Sequence, residues 1–279
     1  MDNSEDGLSR EQENNSEDGL SREQEKKIVR QSRIVELRDR VLLKDRSADR
    51  AVMEEVFDKS TLMVVYGLLN QEVIKEIFGV MKSGKESRIY TGIGAQDNRI
   101  AIKIYLTTSA EFKKGMIPYI TGDPRFKVVK RDSRSLAYLW AQKEFKNLQR
   151  ASEVGIRVPR PIHVEKNILV MEFITEDDYP AQTLKEKHPK NPRGMYRNLL
   201  KYVRILYRKA KLVHGDLSEY NIMNLHGIPV IFDMSQSVHI DHPMAKQLLQ
   251  RDIDVLNRFF KKLGVPIKSS ESIYEWVVG

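Results

Sequence analysis

The segment from Leu212 to Ser235 constrains this chain more than any other. Leu212-Val213 is a short apolar run, and His214-Gly215-Asp216-Leu217-Ser218-Glu219-Tyr220-Asn221-Ile222-Met223 follows it. After a turn, Pro229-Val230-Ile231-Phe232 carries Asp233 to the end of a second apolar strand. Asn221 lies five residues after Asp216, and Asp233 lies twelve after Asn221. Two carboxylates and an amide between buried strands must find partners or open space, because an unpaired buried charge is costly. The segment therefore predicts a crevice with all three side chains at its floor.

The chemistry of the set is specific. Phosphoryl transfer from ATP needs one carboxylate to orient the attacking hydroxyl and a hard oxygen set to hold a divalent cation. Magnesium typically takes only one or two carboxylates from the protein. Asp216 is the candidate for the first task, and Asn221 and Asp233 for the second. Any one of the three alone would be a turn or cap residue, since Asp and Asn favour both. Their joint spacing between two apolar segments is what turns or caps leave unexplained.

The 279 residues allow one two-lobed domain or two small ones. No apolar run approaches the ~18 residues that a membrane helix needs, and the N-terminus is too acidic and polar for a secretory leader. The chain has no Cys, which excludes disulfides and Cys-based zinc or redox chemistry. A cytoplasmic protein with no membrane partner is the expectation. The net charge of +8 divides unevenly: residues 1–25 carry nine acidic and two basic side chains, so the remainder carries +15. A body that basic suits contact with RNA or a ribonucleoprotein, or is a solubilising surface.

Residues 1–25 hold the same eleven-residue stretch, NSEDGLSREQE, twice at a spacing of twelve. It has one Leu per copy and cannot bury a core, so a disordered tail is expected. Residues 26–78 are expected to form accessory N-terminal helices, with Ile34, Leu37, Val41, Val52 and Val56 at helical spacing. From Gly79 the pattern turns to strands: Gly79–Lys82, Arg88–Ile93 and Ile100–Tyr105. Alternation in the last sets Lys103 opposite Ile100, Ile102 and Ile104. Helices are expected over Arg134–Glu153, Met195–Lys211 and Ala245–Leu263, and a strand over Asn167–Phe173. Strands first and helices after describe a bilobal α+β architecture, with a small lobe over 79–174 and a second over 175–279.

Further candidates follow from this layout. Ser83-Gly84-Lys85-Glu86-Ser87 joins two strands, and the amides of such a turn can form a nest for phosphate oxygens. Taken alone, it is a polar hairpin. Lys103 stands in an Ala-Ile-Lys strand like one that pairs ATP phosphates with a helix Glu. The helix that follows supplies such a residue. Glu144 lies on the stripe Ala137, Ala141, Leu148, Ala151, where a carboxylate needs a partner. Met171, Glu172 and Ile174 sit at the junction of the two lobes, where main-chain groups can read a purine edge. Arg197, Lys201, Arg204, Arg208 and Lys211 form a stripe with no acid, a solvated face or a contact for RNA phosphates.

Together these motifs resemble the RIO family of atypical serine/threonine protein kinases, the type 1 branch in particular, with an archaeal member the expectation. The resemblance rests on Ser83–Ser87, Ala101-Ile102-Lys103, Lys143-Glu144-Phe145, Leu212–Ile222 and Phe232-Asp233-Met234-Ser235-Gln236, and covers about Phe57 to the C-terminus. It implies a trimmed kinase fold whose second lobe lacks the activation loop and the peptide platform. It implies ATP and Mg2+ as cofactors, with Mn2+ as a substitute. Nucleotide contacts fall on Ser83, Lys85, Glu86, Ser87, Lys103, Glu144, Met171, Glu172, Ile174, Ser218 and Glu219. Residues 106–131 resemble the family's flexible insert, with Ser109 the candidate for autophosphorylation and Thr107 and Thr108 its rivals. Further implications are an aspartyl phosphate on Asp233, ATPase activity, and maturation of the small ribosomal subunit with its rRNA as partner. Gly215 stands where ordinary kinases carry an Arg that meets a phosphorylated loop, so that form of control is not expected.

Two other readings compete. Small-molecule phosphotransferases of the aminoglycoside and choline kinase kind also use His-Gly-Asp-x-x-x-x-Asn, but the Ser83–Ser87 loop and the insert speak against them. A ribonucleoprotein-binding pseudokinase would have lost at least one of Lys103, Asp216, Asn221 and Asp233, and all are present.

Overall fold

The computed structural model describes residues 58–107, 115–126, 132–177 and 179–279. The expected tail, most of the accessory helical segment, and Ser109 and Thr108 in the insert lie outside the described residues. The first described helix, α1 (Lys59–Asn70), starts at Asp58, whose carboxylate accepts the Thr61 amide at 2.9 Å. Such a cap satisfies a backbone donor that has no partner inside the helix. Beyond α1 come β1 (Ile74–Ser83), β2 (Ser87–Gly94) and β3 (Arg99–Tyr105). Then follow a 3-10 turn at Ile117–Tyr119, the long helix α2 (Ser133–Glu153), β4 (Pro161–Glu165) and β5 (Ile168–Glu172).

These strands form one antiparallel five-stranded sheet in the order β1-β2-β3-β5-β4. Its first strand starts at Ile74, five residues before the sequence turns to an evident strand pattern. The reason is burial: only Ile74 in β1 is fully buried and the last residues are exposed, so no alternation marks this edge. β3 shows what a period of two achieves. Ile100, Ile102 and Ile104 pack with Val64, Val65 and Leu68 of α1. Ala101 faces the opposite core with Leu169 and Met171, and Lys103 belongs to that same face.

The second half holds two short hairpin strands, β6 (Thr175–Glu176) and β7 (Tyr179–Pro180), then α3 (Pro192–Arg208). Next come β8 (Leu212–Val213), β9 (Ile222–Leu225), β10 (Ile228–Ile231) and β11 (Val238–His239), and finally α4 (Ala245–Lys262) and α5 (Ser270–Val278). α5 carries no strong periodic signal, but Ser269 caps it by accepting the Ser272 amide at 3.2 Å. α3, α4 and α5 close one core with Leu199, Val203, Leu206, Leu256 and Phe260. Arg204 lies over the Trp276 ring at 4.5 Å, and Arg208 donates to the Val277 carbonyl at 3.0 Å. Two of the five residues of the basic stripe are thus spent on joining α3 to α5. Lys211 stands outside the helix, whereas Arg197 and Lys201 remain exposed. No helix among the described residues is long and apolar enough to cross a membrane.

Ile102 sits at 0% exposure between α1 and the sheet, whereas Met63 of α1 is 62% exposed. Ile102→Ala is expected to destabilise the protein by about 2–5 kcal/mol, and Met63→Ala by less than about 0.5 kcal/mol. Urea denaturation of the two variants beside the parent checks the contrast.

Candidate active site

The pairing of β8 to β11 explains the site. Val213 pairs with Val238, and further along Ile222 pairs with Ile231. The four strands therefore make one long hairpin, interrupted midway by two facing loops. One loop is His214–Asn221, and the other is Phe232–Ser237. Asp216, Asn221 and Asp233 all stand in these loops and so meet at one end of the crevice. Two bonds cross the gap: Phe232 donates its amide to the Asn221 carbonyl at 3.1 Å, and His214 Nε2 meets the Phe232 carbonyl at 3.2 Å.

Lys103 reaches this point from the sheet above. Its Nζ lies 3.0 Å from Glu144 and 2.9 Å from Asp233 Oδ1. Lys103 and Glu144 are buried. Burial works against the ammonium, but the two carboxylates outweigh it and raise the Lys103 pKa. Burial likewise opposes ionisation of Asp233, yet Lys103 and the Ser235 hydroxyl hold its pKa down to about 2. Glu144 goes the other way, its pKa raised chiefly by burial. The Tyr105 hydroxyl also donates to Glu144.

Asp216 is half-exposed, and burial together with the charge of Asp233 raises its pKa. Asn221 donates its amide nitrogen to the Asp216 carbonyl at 2.8 Å and to Oδ2 at 3.1 Å. That turns the Asn221 oxygen outward as an acceptor. Asp233 has spent Oδ1 on Lys103 and Ser235. Asn221 Oδ1 and Asp233 Oδ2 are then two hard oxygens, a set that suits Mg2+ completed by water and phosphate. No cluster of three or more His, Cys, Asp or Glu able to hold a metal occurs among the described residues. A cation here would thus depend on the nucleotide for its remaining ligands.

The other expected contacts fall around the same crevice. Ser83–Ser87 forms the β1–β2 turn, closed by a bond from the Gly84 amide to the Ser87 carbonyl at 2.9 Å. Lys85 and Ser83 are exposed there, while Glu86 and Ser87 are partly buried. Burial and Asp233 raise the Glu86 pKa, so this carboxylate senses the same field as Asp233 and Asp216. Met171 is buried at the end of β5. The Glu172 side chain is held by Arg157 at 2.6 and 2.8 Å, and the Glu172 amide donates to Arg160 at 2.8 Å. The Ile174 carbonyl accepts from Ala181 at 3.0 Å. Ser218 accepts the Asn221 amide at 2.9 Å, and Glu219 accepts the Lys185 amide at 3.1 Å, both through main-chain oxygens.

Four polar residues at the site escape sequence reasoning. Asp252 of α4 is buried and accepts the Gly215 amide at 2.8 Å and the Leu217 amide at 2.9 Å. Burial raises its pKa to about 7. Arg251 beside it donates to the Gly215 carbonyl and lies 3.7 Å from Asp216 Oδ1. The position without its Arg therefore has a cation from another element. Gly215 has φ +81, and a Cβ there would stand 3.1 Å from the Gln236 carbonyl oxygen. Lys143 and Asn147 of α2 are both fully buried. The signal for Asp252 is the one that marks Glu144: an acid on an apolar stripe, here Leu248, Leu249, Ile253 and Leu256.

The geometry is a crevice between a five-stranded lobe and a helical lobe, with a shared ammonium above and an Asp-Asn-Asp set below. That is the arrangement of a protein-kinase-like phosphotransferase in trimmed form. A family profile described as the RIO domain matches residues 88–273. The chain is 39% identical over 241 residues to the RIO-type serine/threonine-protein kinase Rio1 of Haloferax volcanii, covering 86% of this chain and 81% of the relative. It is 41% identical over 247 residues to serine/threonine-protein kinase RIO1 of Caenorhabditis elegans, covering 87% of this chain and 48% of the relative. The chain belongs to the RIO family of serine/threonine protein kinases, and its likeness runs to the type 1 branch. It spans about half the length of the nematode relative and about four fifths of the archaeal one. The crystal structure of the Rio2 kinase from Chaetomium thermophilum shares the fold, with TM-score 0.60 at 22% identity, over 90% of this chain and 78% of that one. A second structure, the Rio2 kinase-ADP/Mg2+-phosphoaspartate complex from the same organism, matches with TM-score 0.59 at 22% identity, over 77% of this chain and 65% of that one.

His214 ties the two loops together while buried, and burial lowers its pKa from 6.5 to about 4. As pH falls through that window, the unfolded chain binds a proton that the folded one refuses, so stability drops. The loss is expected to reach roughly 1.4 kcal/mol per pH unit, and His214→Gln should flatten it. Urea midpoints measured across the window test the slope.

Proposed function

We propose that this chain is an Mg-ATP-dependent serine/threonine protein kinase that also hydrolyses ATP. The observation that carries the reading is the Lys103 ammonium, shared between Glu144 and Asp233 above the Asp216–Asn221 loop. The adenine edge would meet the Glu172 carbonyl and the Ile174 amide, since Arg160 and Ala181 already engage the Glu172 amide and the Ile174 carbonyl. Met171 would line the adenine pocket, and Ser218 and Glu219 the ribose and phosphate side. Lys103, held by Glu144, would grip phosphate oxygens, with the Ser83–Ser87 turn over them. Asn221 and Asp233 would hold Mg2+, and Mn2+ is expected to substitute. When bound, the cation neutralises charge on the β- and γ-phosphates. It also relieves the repulsion among Glu86, Asp216 and Asp233.

Asp216 is placed to receive the proton of an incoming hydroxyl, and its raised pKa suits a base. A bond forms from the hydroxyl oxygen to the γ-phosphorus, the bond to the β,γ-bridging oxygen breaks, and ADP leaves. In the hydrolytic branch an Asp233 carboxylate oxygen takes the place of the hydroxyl. Water then attacks the resulting acyl phosphate and releases inorganic phosphate. Ser109, in the insert, is the proposed acceptor for autophosphorylation.

We assign the physiological setting to small ribosomal subunit maturation, with pre-ribosomal rRNA as the polyanion that the basic body meets. Family membership and charge support this, and Arg193, Arg197 and Lys201 are the exposed basic groups of α3 available for it.

Incubation with γ-labelled ATP, followed by mapping of acid-stable and acid-labile phosphate, tests the chemistry. Label is expected on serine and, acid-labile, on Asp233. Asp216→Ala should slow transfer by about 10²–10⁴-fold with ATP binding retained, whereas Asp233→Ala should also lose the dependence of binding on Mg2+. Equal turnover by either variant and the parent contradicts the assignment.

A further inference from the structure

Lys143 is a buried amine that the reaction does not explain. It is 0% exposed, and among the described residues no carboxylate pairs with it directly. Burial pushes its pKa well below the ordinary lysine range, and the buried amine still needs acceptors for its hydrogens, so its contacts need a reason. Its Nζ donates to the Ser235 carbonyl at 2.7 Å and the Ser237 carbonyl at 2.6 Å, and lies 4.8 Å from the centre of the Trp140 ring. One helical turn later, Asn147 donates to the Met234 carbonyl at 2.8 Å and the Ser237 carbonyl at 3.2 Å. Arg125, from the described part of the insert, donates to Asn147 Oδ1 at 2.7 Å and to the Ser237 carbonyl at 3.4 Å. Asp123 in turn accepts from Arg125 at 2.6 Å and from the His239 amide at 3.3 Å.

The carbonyl acceptors of Met234, Ser235 and Ser237 all belong to the few residues that follow Asp233. That turn needs holding. Asp233 is in the left-handed region at φ +57 and ψ 62, a conformation that costs a non-glycine residue free energy and persists only where its surroundings enforce it. A 3-10 turn at Met234–Gln236 then points the Met234 and Ser235 carbonyls at α2, and the Ser237 carbonyl just beyond it does the same. Lys143 is also the chain neighbour of Glu144. One helix thus fixes Asp233 from two sides, through the Lys103 side chain and through the backbone beyond it.

We infer that Lys143 and Asn147 are positioning residues that lock the turn after Asp233 to α2, so that this carboxylate stands ready for a divalent cation before nucleotide arrives, with Arg125 tying the insert to the same turn. The cation part of this inference rests on the proposed Mg-ATP chemistry; the locking of the turn does not. Neither side chain touches the reacting atoms. Lys143→Met keeps the volume and removes the donor. Asn147→Ala removes two other bonds to the turn, and the one from Arg125, and serves if the first variant fails to fold.

Amide hydrogen exchange on the full chain without nucleotide is the first measurement. Exchange at Ser235–His239 is expected to rise at least about tenfold in either variant, with β3 amides unchanged as reference. The second is Mg2+ titration of ATP binding by calorimetry. The half-saturating Mg2+ concentration should rise about tenfold, while binding of Mg2+-free ATP stays as in the parent. Unchanged exchange at Ser235–His239 in both variants overturns the clamp, and so does a rise matched in β3, which would mark a general loss of structure. Faster exchange with an unchanged Mg2+ requirement overturns the link to the cation. If the parent itself binds no ATP, the functional proposal fails and the exchange result still decides the clamp.

Discussion

One ammonium group organises this molecule. Lys103 comes from the sheet, Glu144 from the helix beside it, and Asp233 from the far lobe, and the three meet within 3.0 Å. Removing one partner of such a buried pair typically costs 3–5 kcal/mol because the other charge is left stranded. The contact therefore sets how the lobes face each other as well as what the crevice can hold. It also splits the acidities of the crevice. Asp233 is kept ionised by its cation, while Asp216 and Glu86, without an equally close one, are pushed toward the neutral form.

The rest of the site depends on polar residues placed where apolar ones would be expected. Glu144, Lys143 and Asn147 on α2, and Asp252 on α4, are all buried; Glu144 holds the Lys103 side chain, and the other three each hold a loop that would otherwise have free backbone groups. Buried polar groups that are fully partnered specify one geometry strongly. The interrupted hairpin has only short strands of its own to define it. Its two loops take their shape from these helices.

The division between what could and could not be read from the chain follows from range. The Asp216–Asn221–Asp233 spacing was legible because all three lie within one hairpin, and Lys103 because alternation in β3 is local. Glu144 was legible as a charge on an apolar face. The identical argument applies to Asp252, whose stripe is equally clear, yet nothing nearby in sequence hinted at a partner. Lys143 and Asn147 were hidden for a different reason: their acceptors are backbone carbonyls about ninety residues away, which leave no trace in residue type. β1 was misplaced at its start because an exposed edge strand has no period to show. Arg204 and Arg208 read as a solvated stripe, since only the position of α5 reveals the ring and carbonyl they meet.

From Asp233 the chain re-enters a strand at Val238, paired with the strand before the His214–Asn221 loop. A return so brief leaves no segment long enough to swing between two settings, and the Met234, Ser235 and Ser237 carbonyls of its turn are already claimed by α2. Such an enzyme would have no covalent latch to open on the far rim of its crevice. Its tempo would instead be decided by what enters, what leaves, and how long the exit stays blocked.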